Sequence, residues 1–236
     1  MTSAESGRQL GLTIARLVLA ALALALVLVV IGRLLSHQLR HSALVRWDAS
    51  VDRSLAAHRS SGWNLATKLA TFGAETITVI GIGVLAFLLL RWRLGRWRES
   101  LFLAVSVLGE VLVFLLTTLL VDRHRPDVVR LDSAPPTSSF PSGHTAASMA
   151  LYGSLAVIAW RTARAAWLRT VATALAVLMP VAVAMSRLYR GMHYPTDVLA
   201  GALLGLCWLA ITSRLLLAGS GPTRPAGRRQ ATGQRP

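Results

Sequence analysis

The sequence predicts an all-α integral membrane protein: a six-helix bundle with an interfacial amphipathic helix on its outer face. Three observations predict it. Hydrophobic residues make up 54% of the chain and charged ones 15%, and the mean hydropathy is +0.55, a balance too apolar for a water-soluble domain of 236 residues. Six apolar runs approach the length that crosses a bilayer, roughly 20 residues for a helix. The basic residues, nearly all arginine with Lys68 the only lysine, gather beside those runs. That placement gives the net charge of +15 a membrane-topology meaning rather than a nucleic-acid one, and no nucleic-acid partner is expected.

The first span covers residues 12–31. Arg33 follows it where a secretory signal would carry a small-residue cleavage site, so it reads as a retained helix. In residues 36–68, Trp47, Val51 and Leu55 recur at helical spacing among Arg46, Asp48, Asp52 and Arg53. This is the pattern of an interfacial helix, with Trp47 and Trp63 at headgroup depth. The second span covers residues 71–90, closed by the arginine- and tryptophan-rich stretch 91–98, and the third covers 101–121. After the polar stretch 122–139 come the fourth span (142–160), the fifth (171–185, with Pro180 expected to bend it) and the sixth (195–217). Residues 1–217 form one membrane domain with its core in 101–217, and the basic Gly/Pro/Arg tail 218–236 reads as disordered and cytoplasmic. Cys207 is alone in an apolar run, which leaves no disulfide framework and no thiol metal site.

Stretches 91–98 and 161–169 and the tail are arginine-rich and fall on one side, which places them and both termini in the cytoplasm and the protein in the cell membrane. Residues 36–68 also carry Arg40, Arg46, Arg53, Arg59 and Lys68, so charge bias alone is not the whole case for this orientation. The stronger case is that every chemically rich segment converges on the outer face.

Two segments carry most of that chemistry. Pro141-Ser142-Gly143-His144 opens the fourth span with Ser142 as a natural N-cap, so the free amides of Gly143 and His144 offer an anion site. In the stretch 186–197, Pro195 suits a first helical position and Asp197 falls in the first turn, four residues after His193. A carboxylate on one imidazole nitrogen would fix the tautomer and free the other as base or nucleophile. Arg123, His124 and Arg125 stand just past the third span, where arginines on an outer face run against the usual charge bias, and a guanidinium fork matches phosphate oxygens. Two histidines, several arginines and a helix start describe a phosphate pocket.

Arg125-Pro126, then Pro141-Ser142-Gly143-His144, then Ser186-Arg187 with His193 and Asp197 resembles the three-part signature of the type 2 phosphatidic acid phosphatase family, a superfamily that includes bacterial acid phosphatases and vanadium haloperoxidases. The resemblance covers residues 101–217, and outside them only the hydropathy agrees. It implies that His193 is the nucleophile, forming a phosphohistidine, and that Asp197 orients it. His144 would protonate the leaving alkoxide and then activate water. Arg125, Arg187, Ser142 and the Gly143 amide would hold the phosphoryl oxygens, and the chemistry needs no metal or other cofactor.

One position departs from the family's pattern. Its first motif begins with a lysine seven residues before the Arg-Pro arginine, and Thr118 stands there. Thr118 brings one hydrogen bond and no charge, which leaves Arg123, His124, Arg190 and Lys68 as candidates to supply it, Arg123 or Lys68 first. Other residues read more plainly. Glu110, mid-span, is as readily a structural carboxyl as a working one. Gly201 and Gly205 mark close helix packing, and Trp92, Trp97, Trp160 and Trp167 form a cytoplasmic aromatic belt.

The function implied is hydrolysis of a lipid phosphomonoester or pyrophosphate, of phosphatidic acid, phosphatidylglycerophosphate or polyprenyl (di)phosphate type. The main alternative is a catalytically weak relative that binds or moves lipid phosphates, with Thr118 as its clue. A haloperoxidase would be soluble, and a transporter would show internal repeats or broken helices that are absent here.

Overall fold

The computed structural model describes residues 3–218 apart from residues 96 and 135, and every regular element among them is helical. The order is α1 Ser3–Arg33, α2 Ala43–Ala57, α3 Ser61–Phe72, α4 Thr76–Leu94, α5 Arg98–Leu120, α6 Gly143–Thr162, α7 Ala166–Tyr189 and α8 Pro195–Leu217, with a π-helical turn Leu34–Gln38 extending α1. The predicted tail beyond Ala218 lies outside the described residues.

Five of the described helices are long and apolar enough to cross a membrane, those containing Gly7–Gln38, Thr76–Leu94, Arg98–Leu120, Ala166–Tyr189 and Pro195–Leu217. The chain is a multi-pass membrane protein. The sixth expected span, α6, does not reach that hydropathy, and its position explains why. It packs against α4, α5, α7 and α8 and buries Thr145, Ser148, Ser154 and Tyr152 against protein rather than lipid. Ser148 and Ser154 spend their hydroxyls on carbonyls of their own helix, at 2.8 and 2.6 Å.

With lipid tails as apolar as any side chain, close packing rather than water exclusion brings such helices together. Gly201 and Gly205 do this for α8 against α6. A Cβ at Gly201 would lie 2.3 Å from the carbonyl oxygen of Ser142, and one at Gly205 would lie 2.8 Å from that of Ala146. Two apolar clusters fill the remaining space, one around Leu28, Val113, Phe140 and Leu204 and one around Phe102, Leu103, Leu151 and Ile158. Trp92, Trp97, Trp160 and Trp167 are exposed.

The amphipathic stretch is not a single interfacial helix. It folds as α2 and α3, each started by a serine whose hydroxyl accepts from the chain three residues on: Ser42 from Val45 N and Ser60 from Trp63 N. Trp47 and Trp63 are exposed, and the face α2 buries is the one carrying Asp48 and Asp52. Arg123 lies beneath it and binds Asp48. The expected second span is also interrupted: α3 ends at Phe72, and α4 begins after Glu75, whose extended backbone caps it.

Candidate active site

The 186–197 stretch turns sharply because α7 ends in a Schellman motif. Met192 N donates to Arg187 O at 3.0 Å and Gly191 N to Leu188 O at 2.9 Å, with Gly191 at φ +70°, a conformation that favours glycine. The chain then restarts as α8 with Pro195 in its first turn, and Asp197 Oδ2 accepts from the Tyr194 amide at 2.9 Å. His193 is left between two helix ends, 4% exposed. Its Nδ1 lies 2.7 Å from the carbonyl oxygen of Ser139. A carbonyl only accepts, so Nδ1 carries the proton and Nε2 keeps its lone pair.

Ser142 sits at the N-cap of α6, but its hydroxyl bonds Thr145 Oγ1 at 3.0 Å and no side chain caps the helix. The leading amides of α6 therefore remain available to an anion. The backbone of Ser142 is pinned to α8, its amide donating to Asp197 O at 2.9 Å, which brings the second and third motifs together at the contact that Gly201 permits.

A cavity of about 480 Å³ opens in front of these groups, and Arg125, Gly143, His144, Arg187 and His193 all line it. Arg125 is held by Met192 O at 2.9 Å and Arg187 by Asp132 Oδ2 at 2.8 Å. Each keeps a buried Nε with no partner among the described residues, a donor of the kind that an anion's oxygen satisfies. Burial first, and then the charges of Arg187 and Arg125, push the His193 imidazole well below its ordinary value, so it stays neutral. Burial also lowers Arg125 from its usual range. Asp132 is pushed up by burial, but the hydrogen bond and charge of Arg190 and the charge of Arg187 outweigh this and hold it below the usual carboxylate range. The arrangement gives a neutral imidazole nitrogen, a second imidazole, two guanidinium groups and a helix N-terminus around one space, suited to in-line displacement at phosphorus.

Several expectations are corrected. Arg123 does not line the cavity. Its guanidinium is buried, bonded to Asp48 Oδ2 at 2.8 Å, to Thr196 Oγ1 at 2.7 Å and to Asp197 Oδ1, and it stacks on the Tyr194 ring at 4.6 Å. These contacts occupy its guanidinium away from the cavity and hold Asp48 on the inward face of α2. Asp197 is drawn toward Arg123 and stands 3.9 Å from His193 Nδ1, beyond a hydrogen bond, so the Ser139 carbonyl makes that bond instead. Thr118 also lies off the cavity, its hydroxyl 3.5 Å from Ser138 O. Lys68 is exposed on α3 and His124 on its loop. Arg190 is occupied by both oxygens of Asp132 and by Asn64 O, Leu131 O and Thr67 Oγ1. No residue proposed as a substitute for the missing lysine reaches the cavity. Loop residues Ser133, Thr137 and Ser138 do line it.

Sequence reasoning missed Asp48, Asp132 and Ser139. Asp48 accepts from Thr196 N at 3.1 Å and Thr196 Oγ1 at 2.5 Å, fastening α2 to the start of α8. The only sequence signal was two acids one turn apart on a helix that also carries Arg46 and Arg53. Ser139 acts through its backbone, which leaves no trace in side-chain chemistry.

A sequence model of the PAP2 superfamily matches residues 99–218, just over half of the chain. An undecaprenyl-diphosphatase of Sulfolobus acidocaldarius is 28% identical over 145 residues, 61% of this chain and 66% of that protein. The bacitracin transport permease protein BcrC of Bacillus licheniformis is 31% identical over 105 residues, 44% of this chain and 47% of that protein. The chain thus spans less than two thirds of either relative. The crystal structure of a transmembrane PAP2-type phosphatidylglycerolphosphate phosphatase from Bacillus subtilis superposes with a TM-score of 0.68 at 20% identity, covering 80% of this chain and 94% of that one. At that identity the likeness is one of fold.

Proposed function

The chain belongs to the PAP2 superfamily, and from that premise we propose that it is a membrane phosphatase hydrolysing a lipid phosphomonoester or pyrophosphate through a phosphohistidine intermediate. The observation that carries this reading is the pairing of His193, its Nδ1 fixed by Ser139 O at 2.7 Å, with the unpartnered Nε groups of Arg125 and Arg187 at the same cavity.

His193 Nε2 attacks phosphorus and forms a P–N bond as the P–O bond to the lipid breaks. His144, protonated in the substrate complex, gives its proton to the departing oxygen. Arg125, Arg187 and the amides at the start of α6 hold the phosphoryl oxygens while charge shifts between them. His144, now neutral, takes a proton from water. The resulting hydroxide oxygen attacks phosphorus, the P–N bond breaks and phosphate leaves. Asp197 serves indirectly by capping α8 and binding Arg123. The positive potential comes from guanidinium groups and a helix start, so activity is expected to survive EDTA.

We place the site at the outer face of the cell membrane with both termini inside, on the distribution of arginine-rich loops. The substrate classes are those named for the similar proteins and implied by the family resemblance: polyprenyl diphosphates and glycerol-based lipid phosphates. The test is phosphate release from purified protein over a panel of lipid mono- and diphosphates, with His193→Ala as control. Lipid-phosphate binding without any release would identify a binding protein instead.

A further inference from the structure

Among the titratable residues that line this cavity, the mechanism leaves one unused. Glu110, on α5, is 1% exposed, and neither of its carboxyl oxygens has a hydrogen-bond partner among the described residues. It lines the same cavity as His144 and His193. Its depth follows from its neighbours. A Cβ on Gly143 would lie 2.9 Å from the Phe114 ring, so Phe114 stands level with the start of α6, where the phosphoryl group is held. Glu110 is one turn further along the same face of α5, about 6 Å away from that level at 1.5 Å per residue.

The cavity continues past it toward lipid. Ile80, Leu108 and Leu115 line it and are exposed on the outer surface of the bundle. α4 and α5 meet near their connecting turn, where Ser100 Oγ donates to Phe87 O at 3.2 Å, and the cavity lies between their other ends. A lipid entering there would put its phosphate at the histidines, its hydrocarbon between α4 and α5, and whatever joins the two beside Glu110. A charged carboxylate in such a place is costly, whereas the neutral acid has one O–H to donate.

We propose that Glu110 is a specificity-determining residue that donates a hydrogen bond to an oxygen of the lipid about one helical turn from the reacting phosphorus. That chemistry is found in the ester carbonyl of a glycerol lipid and in the inner phosphate of a lipid diphosphate, and it is missing from a monophosphate on bare hydrocarbon. The inference rests on the phosphatase reading above and deepens it. It turns an unpartnered carboxyl at the mouth of the tail channel into a reader of the lipid's linking group.

The experiment compares the wild-type chain with Glu110→Leu and Glu110→Gln on four substrates: a diacylglycerol phosphate, a polyprenyl diphosphate, a polyprenyl monophosphate and a soluble aryl phosphate. E110L is expected to lose about tenfold in kcat/KM, the worth of one hydrogen bond, on the lipid whose oxygen Glu110 contacts, and less than twofold on the polyprenyl monophosphate and the aryl phosphate. E110Q, which keeps an N–H donor, is expected to retain most of the activity. Loss confined to the glycerol lipid identifies the ester carbonyl, and loss confined to the diphosphate identifies the inner phosphate. Equal loss on all four substrates, or loss on none, overturns the proposal while leaving the phosphatase reading intact. A wild-type chain that cleaves none of the four overturns both. Should E110L fail to fold, Glu110→Met removes the donor with less change of shape and carries the same comparison.

Discussion

The backbone carbonyl of Ser139 lies 2.7 Å from Nδ1 of His193. A main-chain acceptor on the loop before α6 thus decides which imidazole nitrogen faces the cavity, and it does so without placing a negative charge on the ring. With burial and two nearby guanidinium groups acting in the same direction, the ring stays neutral.

That neutrality makes a prediction about pH. The neutral imidazole is the nucleophile, and its pKa lies well below 6.5, so protonation of His193 removes activity only as pH falls far below that value. The acid limb of kcat/KM for a soluble aryl phosphate is expected to lie clearly below pH 6.5. An acid limb centred near 6.5 would mean that the ring titrates as an exposed histidine does.

Arg123 makes a prediction about stability. It bridges Asp48 and Asp197, and all three side chains are buried. Removing the cation leaves two carboxylates without compensation, a loss of about 3–5 kcal/mol in comparable buried pairs. Arg123→Met is expected to lower the melting temperature sharply, while Asp48→Asn with Arg123→Met recovers part of the loss. If Arg123→Met melted like the wild type while losing phosphate affinity, Arg123 would be a substrate ligand after all.

Arg187 is expected to behave differently. It holds Asp132 with one nitrogen and keeps a buried Nε with no hydrogen-bond partner among the described residues, a forked donor set that a guanidinium has and an ammonium lacks. Arg187→Lys keeps the charge and loses the fork. The expected result is a fall in kcat/KM of about 10²- to 10³-fold, on the scale of removing one transition-state donor, with weaker inhibition by inorganic phosphate and little change in melting temperature.

Asp52 supplies the second pH prediction. Burial first, then the charges of Asp48 and Asp197, raise it to about 8. Between 3.8 and about 8 the folded protein holds a proton that the unfolded chain has released. Its contribution to stability is therefore complete at the acid end and is lost as pH rises through about 8. Melting temperatures measured from pH 6 to 9 are expected to fall up to about 8 and to level off above it, and Asp52→Asn is expected to flatten that fall.

What could be read from the sequence, and what could not, divides along physical lines. The apolar runs and the Pro195 and Ser142 helix starts were legible because length, periodicity and capping are local properties. Arg125, Arg187, His144 and His193 were legible as a group because their residue types are unusual at the ends of membrane helices. The direction α2 faces was not. Trp47, Val51 and Leu55 gave the pattern of an interfacial helix, and only the fold sets Arg123 beneath α2, where it binds Asp48, with Asp52 buried on the same face. The role of Ser139 was beyond reach for a different reason: any residue has a carbonyl, and only the path of the loop aims this one at His193. Nor could spacing tell that Arg123, two residues from Arg125, points away from the cavity.

The central claim is that His193 is phosphorylated in each turnover, and rapid quench of the enzyme with substrate labelled in its terminal phosphate tests it most directly. The account predicts an acid-labile, base-stable phosphoenzyme that peptide mapping assigns to His193, absent in His193→Ala. In His144→Ala it is expected to form more slowly and to persist longer. Label on another residue, or full turnover by His193→Ala, would contradict it.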